Sequence, residues 1–435
     1  MTIVIAILAL CTIILIHELG HFGAAKLFKM KVYQFNLGMG PILLKKKWKE
    51  TQYALRMFPI GGSCMLGEDE EPGDDPREFR NKPVWQRIIV IAAGAILNLL
   101  LGLILCIIIY SIEPIPTTNI SVFREAAFSN TIGTPLQVGD KVVEVNGMKI
   151  FSVDEVYYKM QNSLLKENPE GDIAVYEFVV IRDGERKVLS NVGFAPRRYN
   201  CFRMWLDEDG TRAEINSPLP ESVKPLLTAR GNPVYCSYRY LETFDKPLFC
   251  GEPAHNSHGN PLLKEDGKPR LCGEIEYNEN GNMIYTWDFS FEPAEKNIPN
   301  ILNYAVQDSI GKGRIIWLSL VDILGGTYGL NDLSGPVGIA AVVDSAAKQA
   351  VDVKEVVMMI LSISAFITIN LGIFNLLPVP ALDGARIIFL AVEGVRRKPL
   401  NQNVEAMIHF IGFALLMLLM VFVMFNDVRK LIFGI

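Results

Sequence analysis

The residues best placed to do chemistry occupy five consecutive positions near the start of the chain, His17-Glu18-Leu19-Gly20-His21. On a helix, positions four apart share a face, so both imidazoles can reach one zinc ion while Glu18 addresses a water bound to it. Zinc lowers the pKa of such a water toward about 7. A neighbouring carboxylate can take its proton as hydroxide attacks a peptide carbonyl, then return it to the leaving amine. Coincidence is the competing reading. With five histidines in the chain, a chance match is expected on the order of a few times in a thousand. The surroundings weigh further against chance: the motif lies in an apolar stretch, where each ionisable group costs roughly 2.5 to 3.5 kcal/mol. A bound cation offsets that cost.

Catalytic zinc usually has three protein ligands beside its water. Asp383 stands out as the third, in Asn375-Leu376-Leu377-Pro378-Val379-Pro380-Ala381-Leu382-Asp383-Gly384 at the close of a later apolar stretch. Two prolines and a glycine open the backbone there, which membrane depth tolerates only against protein or a water-filled cavity. Taken alone, Asp383 reads as an ordinary helix-end carboxylate. His255 and His258, near Cys250, suggest a second metal site, but their loose spacing favours exposed loop histidines.

These residues need elements to hold them, and composition says of what kind. Half of the 435 residues are hydrophobic and the mean hydropathy is +0.25, more apolar than an ordinary soluble enzyme. Four stretches, 2–27, 84–112, 356–377 and 404–425, supply the roughly 20 apolar residues that cross a bilayer. The first lacks the basic start and small-residue cleavage site of a secretory leader, so it is expected to be a retained span. The net charge of −5 gives no reason to invoke nucleic acid. Lysines and arginines gather instead between the first two stretches and between the last two, which makes both loops cytoplasmic by the positive-inside rule. The termini and the long central region then lie outside. Cys201, Cys236, Cys250 and Cys272 fall in that outer region, where three full disulfide pairings or reduced thiols are equally open.

Residues 33–83 read as a β-hairpin against the membrane followed by an acidic loop. Tyr33, Phe35 and Leu37 alternate before Gly38-Met39-Gly40-Pro41 breaks the run, and Gly61-Gly62 punctuates the return. Residues 113–195 contain alternating apolar runs around Asn146-Gly147 and Asp183-Gly184 turns, with a helical stretch between them. That order resembles a PDZ domain. Residues 196–300 read as an irregular, β-rich insert, and 301–355 as helical segments on the membrane surface. The third span with Asp383 covers 356–385, a cytoplasmic loop 386–403, and the fourth span with the C-terminus 404–435.

An HExxH in the first span (within 1–32), a GxGP segment after it, a PDZ-like module, and NxxPxPxLDG at the end of the third span together resemble the site-2 protease family. These are membrane-embedded zinc metalloproteases of the M50 type, and the single PDZ-like module resembles their bacterial RseP-like branch. The resemblance implies Zn2+ held by His17, His21 and Asp383, Glu18 as general base, and Asn370 and Asn375 with Gly38 and Gly40 as substrate-binding positions. It also implies single-span membrane-protein substrates, pre-trimmed and of the anti-sigma-factor or remnant-signal-peptide kind. The PDZ-like module would bind peptide C-termini or act as a size filter, and the enzyme would sit in a bacterial inner membrane. Physically, a hairpin suits such an enzyme, because an edge strand can hold a substrate helix once it has been unwound. Two departures stand out: Gly94-Ala95 precedes Asn98 where the family often has Gly-Pro, and Ala385-Arg386 follows Asp383-Gly384. Neither is expected to touch a ligand. The expected fold is a polytopic α-helical membrane protein of four spans with a membrane-associated β-hairpin and an extracytoplasmic PDZ-like α+β domain. The alternative is a catalytically silent scaffold with a structural zinc, which would have no use for Glu18. A transporter is disfavoured by the absence of an inverted repeat.

Overall fold

The chain divides into two units, Met1–Glu113 with Lys296–Ile435, and Pro114–Glu295. The computed structural model describes residues 2–67, 75–123, 136–166, 174–194, 289–326, 352–398 and 400–433, with 226–227, 233–234, 268–269, 335 and 338.

Apolar length dictates the first unit. Helices α1 (Thr2–Leu27), α2 (Val84–Ile112), α5 (Val353–Leu376) and α7 (Gln402–Phe433) contain four segments long and apolar enough to cross a membrane: Leu8–Leu27, Val84–Ile112, Val353–Leu376 and Asn403–Arg429. Their exposed faces carry large apolar side chains such as Phe410, Leu418 and Phe425, which suit lipid rather than water. In lipid, helices associate through small residues that let backbones approach closely, and glycines mark the crossings. A Cβ on Gly20 of α1 would fall 2.7 Å from Gly94 Cα of α2, and one on Gly372 of α5 would fall 3.0 Å from Ala95 O.

Two expectations for this unit need correction. The third span does not run on to residue 385, and 386–403 is not simply a loop. The helix ends at Leu376 because Pro378 and Pro380 cannot continue it, and a separate helix, α6 (Asp383–Arg396), begins at the aspartate itself. Gly384, Ala385 and Leu390 are buried on its inner face, and Glu393 forms a two-pronged ion pair with the buried Arg87 of α2. The segment 301–355 likewise opens with one continuous helix, α4 (Ile298–Leu324), rather than separate surface pieces. Asn297 caps it by accepting the Asn300 N–H. Its inner face buries Asp308, which accepts from the Tyr110 hydroxyl of α2 at 2.8 Å and pairs with Lys312 at 2.6 Å.

The hairpin is present as β1 (Gln34–Trp48) and β2 (Thr51–Met65). Gly38 and Gly40 do not end β1 but bend it, with φ of 83° and 84°, where glycine alone is unstrained. The fold-back gives residues 34–37 two neighbours: Phe35 lies opposite both Cys64 and Tyr53. Residues 62–65 are therefore an outer segment, paired on one side only among the described residues. The hairpin turn is tied to α1 by Glu50, which accepts from Lys26 at 2.9 Å and from Arg77 at 2.8 Å. The Lys26 ammonium holds the Glu50 carboxyl below the usual carboxylate range.

The second unit is a sheet in the order β10 (Phe289–Ala294), β3 (Ile115–Phe123), β4 (Lys141–Val145), β6 (Ala174–Arg182), β7 (Glu185–Phe194), with β5 (Met148–Lys149) beside β4. Asn146 and Gly147, then Asp183 and Gly184, all have positive φ, as two-residue hairpin turns require. Helix α3 (Val153–Lys166) opens with Ser152 and Glu155 in capping-box spacing, the Glu155 carboxylate accepting the Ser152 N–H at 3.1 Å. Tyr176, Phe178, Phe194 and Phe289 form the core. Phe289 corrects the boundary drawn at 195, because the strand that carries it, from the far end of the insert, completes the same sheet. Two-residue strands β8 (Leu226–Leu227) and β9 (Pro233–Val234) pair within the insert. Cys201, Cys236, Cys250, Cys272, His255 and His258 lie outside the described residues.

Asp140, fully buried, accepts from Arg182 Nε at 2.7 Å and Nη2 at 2.8 Å and from the Gln137 N–H at 2.8 Å. Arg182→Leu strands that carboxylate, and breaking such a pair costs about 3–5 kcal/mol. Hydrogen exchange on the full chain should show faster exchange in β4 and β6 and unchanged protection in α2; equal protection in wild type and variant would refute the pair's role.

Candidate metal centre

Because α1 is helical through residues 17–21, His17 and His21 lie one turn apart on the same face, both about nine-tenths buried. Their Nε2 atoms are 3.2 Å apart. Asp383, the first residue of α6, places Oδ2 3.1 Å from His17 Nε2 and 3.3 Å from His21 Nε2. The three form the metal-competent cluster among the described residues. Four-coordinate zinc at about 2.0–2.1 Å from each donor holds its ligands about 3.3–3.4 Å apart, so this near-equilateral triangle is the base that a tetrahedral ion needs.

Protonation supports the same assignment. The Nδ1–H of His21 donates to the Val90 carbonyl oxygen at 2.9 Å, and since a carbonyl only accepts, the neutral ring presents a bare Nε2 lone pair. Asn98 of α2, fully buried, has its amide 3.4 Å from His17 Nδ1. As placed, the amide nitrogen faces the ring and the buried oxygen lacks a partner. Rotating the amide by 180° lets the His17 Nδ1–H donate to Oδ1, and leaves a second bare Nε2. Two lone pairs and a carboxylate oxygen then converge in an apolar bundle, an arrangement that a cation stabilises. The residues fit zinc.

Glu18 lies beside the three and interacts electrostatically with each of them. The hairpin reaches it through the outer segment: the Cys64 N–H hydrogen-bonds its carboxylate, and a Cβ on Gly62 would meet Glu18 Cγ at 3.0 Å. Burial pushes the Cys64 thiol up to about 12, and the metal-competent cluster among the described residues does not include it. Asn370 is half-buried on α5, its Oδ1 without a partner among the described residues. Asn375 is half-buried in the last turn of α5. Gly38 and Gly40 shape the bend of β1; Gly62, which the sequence offers only as punctuation of the return strand, and Cys64 are the hairpin residues against the base.

Sequence reading also missed what holds the imidazoles. Gly94 was expected to be remote from the ligands, yet a Cβ there would fall 2.7 Å from His21 Cε1 and 2.9 Å from His17 Cε1. The signal was present: glycines inside apolar helices, Gly20 and Gly94, mark a close crossing, here the one that brings Val90 and Asn98 to the histidines.

Comparison with known proteins adds the family. The model of peptidase family M50 matches residues 5–419. The regulator of sigma-W protease RasP of Bacillus subtilis is 25% identical, with 99% of both chains covered. The regulator of sigma E protease of Haemophilus influenzae is 27% identical over 98% of both. The zinc metalloprotease RasP of Bacillus licheniformis is 24% identical over 99% of both.

Gly94→Ala forces the imidazoles off the shared point and should weaken zinc binding by about tenfold or more, as disturbed ligand support typically does. Gly23, on the helix that carries the histidines, has open space around it, so Gly23→Ala should bind zinc like wild type. Chelator competition on the purified chain in detergent measures both, and equal affinities would contradict the crossing argument.

Proposed function

The chain belongs to peptidase family M50 and is a zinc metalloprotease held in a membrane, and from that premise we propose that it hydrolyses peptide bonds within or near the transmembrane segments of pre-trimmed, single-span membrane proteins. The observation that carries this reading is the triangle of donors 3.1–3.3 Å apart, built on helices apolar enough to span a bilayer. When bound, zinc supplies the Lewis acidity that makes water a competent nucleophile near neutral pH.

The chain's own residues divide the remaining work. His17, His21 and Asp383 hold the ion. Glu18 takes the proton from the attacking water and delivers it to the leaving amine, and the Cys64 N–H keeps its carboxylate aimed. The outer hairpin segment offers backbone groups to an unwound substrate, which an edge strand recognises by strand addition. Asn370, with a buried acceptor lacking a partner, suits an N–H of the extended substrate; Asn375, near the end of the same helix, is a second candidate. Gly38 and Gly40 give the hairpin the bend that this role requires.

Basic residues between the first two spans and between the last two favour a cytoplasmic placement of those loops, with both termini and the second unit outside. Its strand order with one helix and two tight hairpins suits a PDZ-like module that binds peptide ends or filters substrates by size. Substrates of the anti-sigma-factor kind suit relatives named as regulators of sigma-W and sigma E; remnant signal peptides and a bacterial inner membrane complete the proposal. The competing reading, a silent scaffold with structural zinc, gives no reason for a carboxylate beside the ligands with its own backbone donor.

Cleavage of a pre-trimmed single-span reporter in liposomes tests the assignment. Wild type should cut and Glu18→Gln should fall by at least about a hundredfold while both retain equal zinc. Equal cutting by both would remove Glu18 as the base, and zinc binding without cutting by either would favour the scaffold.

A further inference from the structure

The turn that delivers Asp383 is not explained by its own sequence. The Leu382 N–H donates to the Val379 carbonyl at 3.1 Å, closing a β-turn over Val379, Pro380, Ala381 and Leu382. Pro380 is second in the turn, and Ala381, third, has φ of 78°. Those are the marks of a type II turn, whose third position calls for glycine because φ is positive there. Alanine is strained in that region. The unstrained alternative, type I, differs mainly by a flip of the one peptide that joins the second and third residues.

Something outside the turn must favour the flipped peptide, and both of its polar ends meet α7. The Ala381 N–H donates to His409 Nδ1 at 3.0 Å. On α7 one turn later, Gly412 comes so close that a Cβ would fall 2.7 Å from the Pro380 carbonyl carbon and 2.7 Å from its oxygen. Residues three apart on a helix share a face, so one face of the fourth span contacts both the N–H and the C=O of a single peptide. The His409 ring is steadied edge-on by Phe389 of α6, with centroids 5.5 Å apart. A backbone N–H can only donate, so Nδ1 accepts and the neutral ring carries its proton on Nε2.

We propose that His409 is a positioning residue for the metal centre: by accepting the Ala381 N–H it selects the type II orientation, which fixes where α6 starts and so where Asp383 Oδ2 meets the two imidazoles. The inference rests on the reading of Asp383 as a zinc ligand. It gives the fourth span, which contributes no ligand, a task in metal binding. Type I geometry would relax Ala381 and redirect the first turn of α6, moving the carboxylate off the shared point.

The test uses the full chain in detergent and reads zinc affinity by chelator competition together with the rise in melting temperature when zinc is added to stripped protein. His409→Phe keeps a ring against Phe389 but removes the acceptor. It should bind zinc about tenfold more weakly and show a smaller zinc-dependent rise, with an unchanged melting temperature in the metal-free form. Adding Ala381→Gly to His409→Phe should restore affinity, because glycine takes the positive φ without strain. Unchanged zinc affinity in His409→Phe overturns the proposal. So does a failure of Ala381→Gly to restore it, or a fall in stability of the same size with and without zinc, which would make the histidine a packing residue only. Asp383→Ala separates the two layers. If it retains zinc like wild type, the ligand reading itself fails; if it loses zinc while His409→Phe does not, only the positioning role fails.

Discussion

Two imidazole lone pairs and a carboxylate oxygen repel one another when aimed at one point, and here they are aimed so inside an apolar helix bundle. Lipid offers no water to relieve the repulsion, and an uncompensated ionic group in such surroundings costs several kcal/mol. A cation reverses the sign of the interaction, but only if the donors are already fixed, since a flexible set would relax apart in its absence. Much of the helical unit can be understood as the means of fixing them. Val90 and Asn98 orient the rings from α2, Arg87 fastens α6 at its far end through Glu393, and the turn after α5 sets the start of α6.

Such fixing depends on backbones approaching closely, and lipid supplies no hydrophobic drive between helices to bring that about. Glycine substitutes for the missing drive by removing the side chain that would hold helices apart. Gly20 and Gly94 close the crossing of α1 and α2, and Gly372 that of α5 and α2. Gly384 does the same for the first turn of α6, where a Cβ would fall 2.6 Å from Leu376 O. Each of these positions is short-range and steric, so their effects act on the geometry of the donors rather than on the chemistry of any one of them.

What was legible in the sequence follows from the range of the interaction involved. The histidine spacing, the aspartate after the double proline, the four apolar stretches and the Asn-Gly and Asp-Gly turns are local patterns whose meaning is fixed within a few residues. The start of α6 was misread because the prolines that end α5 look like the end of the whole element, while the apolar run beyond them is short and leads into Arg396-Arg397-Lys398, which reads as a cytoplasmic loop. The strand Phe289–Ala294 pairs with β3 across more than 150 residues, and no local pattern encodes a partner so distant. Gly94 was read as a departure from a motif of the second span, remote from any ligand, when its role is a crossing, which requires knowing which helix lies opposite. His409 carried a weak signal as an ionisable residue in an apolar span, shared in 404–425 only with Glu405, a kind of position that is rarely idle, but its partner is a backbone N–H that no sequence marks.

The fourth span shows how such long-range constraints are satisfied economically. Most described positions of α7 face outward, and the buried ones among them are few: Gly412, Val423, Asn426 and Asp427. Besides the contacts at Pro380 and Ala381, Asp427 Oδ2 accepts the N–H groups of Gly335 and Gly338 at 2.9 and 2.8 Å, so one helix meets backbone groups from two separate segments of the chain. Irregular backbone at membrane depth survives only where protein satisfies its polar groups. A reaction that consumes water needs an opening in the helical wall, and an opening exposes peptide groups. A helix that meets those groups from outside is what lets the helical wall break between Leu376 and Asp383 without unravelling there.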